Sequence, residues 1–169
     1  MLICLSILAS KAYAEEQKAA KLTDPQIAAI VVAANSVDVD AGKFAAGKTK
    51  NKEVKKFAEQ MVTDHTAVNK SAVELVTKLK VKPEENETSK SLVKGGEENI
   101  ANLKKLKAKE FDKAYVDHEV TYHETVLGAI DNALIPNAQN GELKALLEKV
   151  RPAIAAHLEH AKHIQSTMK

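Results

Sequence analysis

His123 stands where an apolar residue belongs. Between Phe111 and Leu134 the positions Val116, Val120, Leu127, Ile130 and Leu134 recur at helical spacing, and His123 falls on the same stripe. Glu119 lies one turn before it on the same face. An acid and an imidazole one turn apart can reach one point beside a helix as metal ligands, or can hydrogen-bond each other. Three further stripes carry one polar residue each. Asp38 interrupts Ile27, Val31, Ala34, Ala41 and Ala45, and His65 interrupts Val54, Ala58, Met61, Val68, Ala72, Leu75 and Leu79. His157 interrupts Leu143, Leu147, Val150, Ile154, Ala161, Ile164 and Met168.

Counting along the chain decides whether the four can meet. Asp38 lies about 12 residues before a short turn and His65 about 15 after it, which at about 1.5 Å per residue leaves them roughly one turn apart in height. His123 and His157 are offset by a similar amount about the turn that joins their helices. All four are therefore expected near mid-height of their helices. Burying a lone polar side chain costs several kcal/mol, so such intrusions persist where they satisfy one another or a cation. Three neutral imidazoles with Asp38 or Glu119 suit a divalent transition metal, namely zinc, copper or iron, and lack the thiolates of a closed structural zinc site.

Other readings of these residues stay open. Each histidine alone reads as a satisfied core residue, Glu119 could pair with a lysine, and Asp38 could bridge within the bundle. Asp64 and Asp112 read as surface or helix-start residues, and His118 as packing beside Tyr115 and Tyr122. His160 is expected to border the core and His163 to face water.

The elements that must position this cluster follow from capping and period. Thr23-Asp24-Pro25 starts a first helix that runs to about Gly47. A turn at Thr49 to Asn51 sends the second helix back antiparallel, and Val81-Lys82-Pro83 ends it. Leu92, Val93, Ile100, Leu103 and Leu106 predict a weaker connecting helix interrupted at Gly95-Gly96. After the helix that begins near Phe111, a turn is expected over Asn132 to Gly141, and a last helix from Glu142 to Met168 with a kink or restart at Pro152. The fold expected is all-α, a four-helix up-down bundle with an additional short connecting helix, occupying residues 23–169.

Composition supports one helical domain. With 4% aromatic residues and no tryptophan, against abundant Ala, Lys, Glu, Leu and Val, the chain is unlike a β-sandwich. Net charge is +2 and Arg151 is the one arginine, so the bidentate contacts of nucleic-acid readers are nearly absent and nucleic acid is not expected as a partner. Met1 to Ala14 reads as a cleaved secretion signal, an apolar run ending in a small-x-small site, and 15–22 as a disordered leader. The run is about half the ~20 apolar residues of a membrane span, so no stable span is expected in the mature chain. Removing it removes Cys4, the single cysteine, and with it thiolate chemistry. Neither a serine elbow, a triad nor a phosphate loop is present.

Met61-Val62-Thr63-Asp64-His65-Thr66, Phe111-Asp112-Lys113-Ala114-Tyr115 followed by His123, and His157-Leu158 resemble the pattern of the bacterial domain-of-unknown-function 4142 family. Its members are exported, ferritin-like helical proteins. Where that family tends to have Glu, this chain has the shorter Asp38. The resemblance implies a ferritin-like bundle outside the cytoplasm, periplasmic or secreted, and supplies no activity. The paired Glu and Glu-x-x-His set of di-iron enzymes is missing, so ferroxidase chemistry is not expected. The leading expectation is a metal-binding protein using His65, His123 and His157 with Asp38 or Glu119, in metal buffering or stress tolerance. The alternative is a metal-free structural or interaction module of the cell envelope with hydrogen-bonded core histidines, and self-association into a homo-oligomer remains open in either case. An enzyme using an open metal position ranks below both.

Overall fold

Thr23 and Gln26 close a capping box at the start of α1 (Asp24–Lys48), with Pro25 in the first turn where its missing N–H costs nothing. The computed structural model describes residues 21–168. The expected secretion signal, 1–14, lies outside the described residues, as does the leader 15–22 except its last two positions, of which Leu22 packs onto the core. Asn51 caps α2 (Lys52–Lys78) by accepting from the N–H groups of Glu53 and Val54. Asn86 does the same for α3 (Glu87–Lys105), and Asn140 for α6 (Gly141–Thr167). Between α3 and α6 come α4 (Ala108–Ala129), a π-helical segment (Ile130–Leu134) and the short α5 (Ile135–Asn137). The described residues are all helix and connection, as the composition implied.

Cross-helix contacts fix the directions. Asp38 meets His65 and Ser36 meets Asn69, so α1 and α2 are antiparallel. Asp117 with Gln165 and Asp131 with Arg151 make α4 and α6 antiparallel. Gln26 with Asn86, Val37 with Gly96 and Lys48 with Leu103 set α3 parallel to α1. The chain thus climbs along α3 and descends again in α4, and the four helices α1, α2, α4 and α6 surround the core. Among the described residues no helix is long and apolar enough to cross a membrane.

Three expectations change. The connecting helix is not short: it spans 19 residues and passes unbroken through Gly95 and Gly96, because Gly96 sits so close to Val37 that an added Cβ would lie 2.9 Å from both methyl groups. The expected turn from Asn132 begins instead as continued helix. Side-chain amides of Asn132 and Asn137 bond back to the carbonyls of Gly128 and Ala133, and the backbone widens into the π-turn ahead of Pro136. Pro152 leaves α6 as one element, since it and its neighbours Arg151 and Ala153 are exposed and water can satisfy the carbonyl it leaves unbonded.

Apolar packing falls into two groups. One gathers Ala41, Ala45, Val54, Phe57, Met61, Phe111, Tyr115, Val116, Ala161 and Ile164. The other gathers Ile27, Ile30, Val31, Ala72, Ile130, Leu134, Leu143, Leu147 and Ile154. On every one of the four helices the two groups are separated by the polar seam residue. Close approach of α1 and α2 depends on Gly42, where an added Cβ would stand 2.8 Å from the Ala58 carbonyl oxygen. Gly42→Ala is therefore expected to destabilise by about 1–3 kcal/mol despite alanine's better helix propensity, whereas Gly95→Ala, with open space around it, should stabilise by up to about 1 kcal/mol. Denaturant unfolding of both variants checks the pair, and equal effects would contradict the packing.

Candidate metal centre

Each of the four core helices delivers its polar seam residue to one layer. Asp38 comes from α1, His65 from α2, Glu119 and His123 from α4, and His157 from α6, and all five are buried, none more than 3% exposed. The imidazole centroids form a near-equilateral triangle, 5.6 Å from His65 to His123, 5.2 Å from His65 to His157 and 5.6 Å from His123 to His157. One ring nitrogen from each histidine lies within 4.8 Å of the others, and the same holds for ligand atoms of Asp38, Glu119 and His123. His123 belongs to both groups, so the two groups adjoin through its ring.

Hydrogen bonds on the outer side of the rings fix their tautomers. Asn35 donates its Nδ2 to the Val31 carbonyl at 2.7 Å, which turns its Oδ1 toward His65 Nδ1, also at 2.7 Å. An amide oxygen only accepts, so His65 Nδ1 carries the hydrogen and Nε2 keeps a lone pair. His123 Nδ1 donates to the Glu119 backbone carbonyl at 2.9 Å, leaving Nε2 free. His157 Nε2 donates to Asp64 Oδ2 at 2.9 Å, leaving Nδ1 free. His65 Nε2, His123 Nε2 and His157 Nδ1 are buried and have no hydrogen-bond partner. Metal-ligating histidines are characteristically held this way, one N–H anchored to an acceptor and the other nitrogen aimed inward.

Burial decides the charge of the site. It pushes the imidazoles of His65 and His123 down to about 3 and about 4, with the neighbouring histidine rings adding to the fall and the Glu119 carbonyl opposing it at His123, so both are neutral. His157 is lowered by burial too, with Asp64 opposing. Glu119 moves the other way, up to about 8, and Asp38 is raised well above its ordinary value by burial and then by the neighbouring Glu119. Both Glu119 carboxyl oxygens and the Tyr115 hydroxyl are buried without a hydrogen-bond partner. Tyr122 closes the α4 side, its hydroxyl donating to the Ala34 carbonyl at 3.0 Å and its ring 6.2 Å from that of His123.

His65, His123, His157, Asp38 and Glu119, the residues singled out in the sequence, are thus brought together. The shorter Asp38 reaches: its Oδ2 is 3.4 Å from His65 Nε2. Sequence reasoning missed two anchors. Asp64 was read as a surface residue, yet it turns from its own neighbour His65 toward α6 to hold His157. Asn35 was not singled out, although an asparagine directly after the apolar run Ala28 to Ala34 was the available signal. His118 packs against Tyr122, its ring stacked at 5.6 Å, and His163 is exposed, as read. His160 is half-buried, its ring edge-on to Phe57.

An all-helical bundle with a buried layer of three histidines and two carboxyl groups is the class of protein these observations define. The sequence matches the family described as domain of unknown function (DUF4142) over residues 9–164, nearly the whole chain, and the chain belongs to that family. No curated protein and no solved structure matches it.

The pH dependence of the metal-free fold follows with opposite signs. A histidine kept neutral in the fold but free to protonate when unfolded removes stability as pH falls below its ordinary 6.5, toward about 3 for His65. A carboxyl kept protonated in the fold but ionised when unfolded removes stability as pH rises from its ordinary 4.5 to about 8 for Glu119. Above 6.5 only the carboxyl effects of Glu119 and Asp38 remain. The melting temperature of chelator-treated protein should therefore fall between pH 6.5 and 8, and Glu119→Gln should make that fall shallower; an unchanged slope in the variant would contradict the assignment.

Proposed function

We propose that this protein binds one divalent transition metal, zinc, copper or iron, inside the bundle. His65 Nε2, His123 Nε2 and His157 Nδ1 supply nitrogen, and Asp38 and Glu119 complete the shell with oxygen. The observation that carries this reading is the set of three inward nitrogens, each buried, each left with a lone pair by an anchored N–H on its other side, and each without a partner. A cation satisfies all three at once and also the carboxyl oxygens of Glu119. The competing arrangement, histidines hydrogen-bonded to the two acids, requires separations near 2.7–3.2 Å. His65 Nε2 lies 3.4 Å from Asp38 Oδ2, and His123 Nε2 has no hydrogen-bond partner.

The bundle reads as ferritin-like, because α1 with α2 and α4 with α6 are two antiparallel pairs joined by one long connection, which contains α3. The role assigned is metal buffering or stress tolerance in the periplasm or outside the cell, after removal of residues 1–14. Binding is coupled to protons, since a cation would favour the ionised forms of Asp38 and Glu119, which burial alone keeps protonated.

Protein purified without a histidine tag should carry about one metal ion per chain, and metal at roughly 100 times its dissociation constant should stabilise the fold by about 2.7 kcal/mol, a rise of several degrees in melting temperature. His65→Ala and His123→Ala should lose the metal. Asp64→Asn, which weakens only the anchor of His157, should lower affinity by about 10- to 100-fold. Wild-type metal content in both alanine variants would remove the proposal.

A further inference from the structure

A cavity of about 110 Å³ adjoins the polar layer on the side of the Ile27–Leu147 packing group. Its walls are apolar side chains, among them Val31 from α1, Ile130 from the π-turn and Leu147 and Ile154 from α6. Asp38 and His65 of the polar layer also line it. Thr88 of α3 and Thr125 of α4, both exposed, also border it, so the cavity leads from the α3–α4 surface to the edge of the metal layer. The π-turn contributes to this shape, since its first and last residues, Ile130 and Leu134, both line the wall. Such turns recur at functional sites.

Water is a poor occupant. It needs two to four polar partners, and although Asn35, Asp38, His65, Thr88 and Thr125 border the cavity, the surface they present to it is almost wholly apolar, with Asn35 already using its nitrogen on Val31 and its oxygen on His65. Apolar cavities of roughly 150 Å³ stay dry and take up xenon or benzene. At about 110 Å³ this one is smaller, which favours a single atom or a diatomic over an aromatic ring. We propose that the cavity is a binding site for a small uncharged apolar molecule of the dioxygen class, held against the Asp38–His65 edge of the histidine layer. The site stands on the shape and lining of the cavity. What it delivers to a bound metal rests on the metal reading, but binding itself does not.

Xenon is the probe. Xenon NMR titration and diffraction from xenon-pressurised crystals of metal-free and zinc-treated protein should place one xenon between Val31, Ile130 and Ile154. Ala129→Leu, which adds volume at the wall and touches no proposed ligand, should weaken xenon binding by about tenfold while leaving zinc content unchanged. Ile154→Val, which removes one methyl group, should keep the site and enlarge it. Ordered water in place of xenon in the wild type, or equal xenon affinity in wild type and Ala129→Leu, would overturn the proposal. Xenon bound with no zinc, copper or iron bound would instead defeat the metal reading and leave this one standing, and metal bound with no xenon would do the reverse.

Discussion

A polar layer held between two apolar ones is the constraint on which this structure depends. Along α1 the order is Ile27 to Val31, then Asn35 and Asp38, then Ala41 to Ala45, and α2, α4 and α6 repeat it with His65, His123 and His157 at the middle level. Polar groups at that depth are tolerated only if their hydrogen-bonding capacity is met. On the outer side it is met by Asn35, the Glu119 carbonyl and Asp64. On the inner side it is not, and that asymmetry gives the layer its chemistry.

The rest of the bundle keeps the layer in register. Gly42 lets α1 and α2 approach until Asp38 and His65 face each other, and Gly96 lets α3 lie on Val37 over the outside of α1. Asp24 ties the start of α1 to the turn before α6 by accepting from the N–H groups of Gln139 and Asn140 at 2.8 and 2.9 Å. Because α3 carries the chain back along the bundle, α2 and α4 run in the same direction, and all four seams present their polar residue at one height. Connectivity, close packing and side-chain anchoring thus act on the same five residues.

Much of this was legible in the sequence because the period of a helix is fixed. A polar residue on an apolar stripe must point inward, and counting from the turns sets its height, so Asp38, His65, His123, Glu119 and His157 could be placed without coordinates. What could not be read was direction around the helix for residues off the stripe. Asp64 lies beside His65 at the edge of the stripe, where a carboxylate can face water or the neighbouring helix, and here it reaches His157 on α6. The π-turn was hidden for a different reason: Asn132, Pro136 and Asn137 favour turns in isolation, but here packing of Ile130 and Leu134 into the core keeps the backbone helical. Gly95 and Gly96 misled likewise, since glycine marks a break or a close contact and only the neighbour decides which.

Tautomers and ligation can be read atom by atom. In two-bond proton–nitrogen NMR spectra of protein labelled with nitrogen-15 at histidine, the account predicts that metal-free His65 and His123 are protonated on Nδ1 and His157 on Nε2. On adding zinc, the opposite nitrogen of each of these three rings should shift to the coordinated range while His118, His160 and His163 stay unchanged. Spectra in which the three core rings keep their metal-free shifts at saturating zinc would contradict the account.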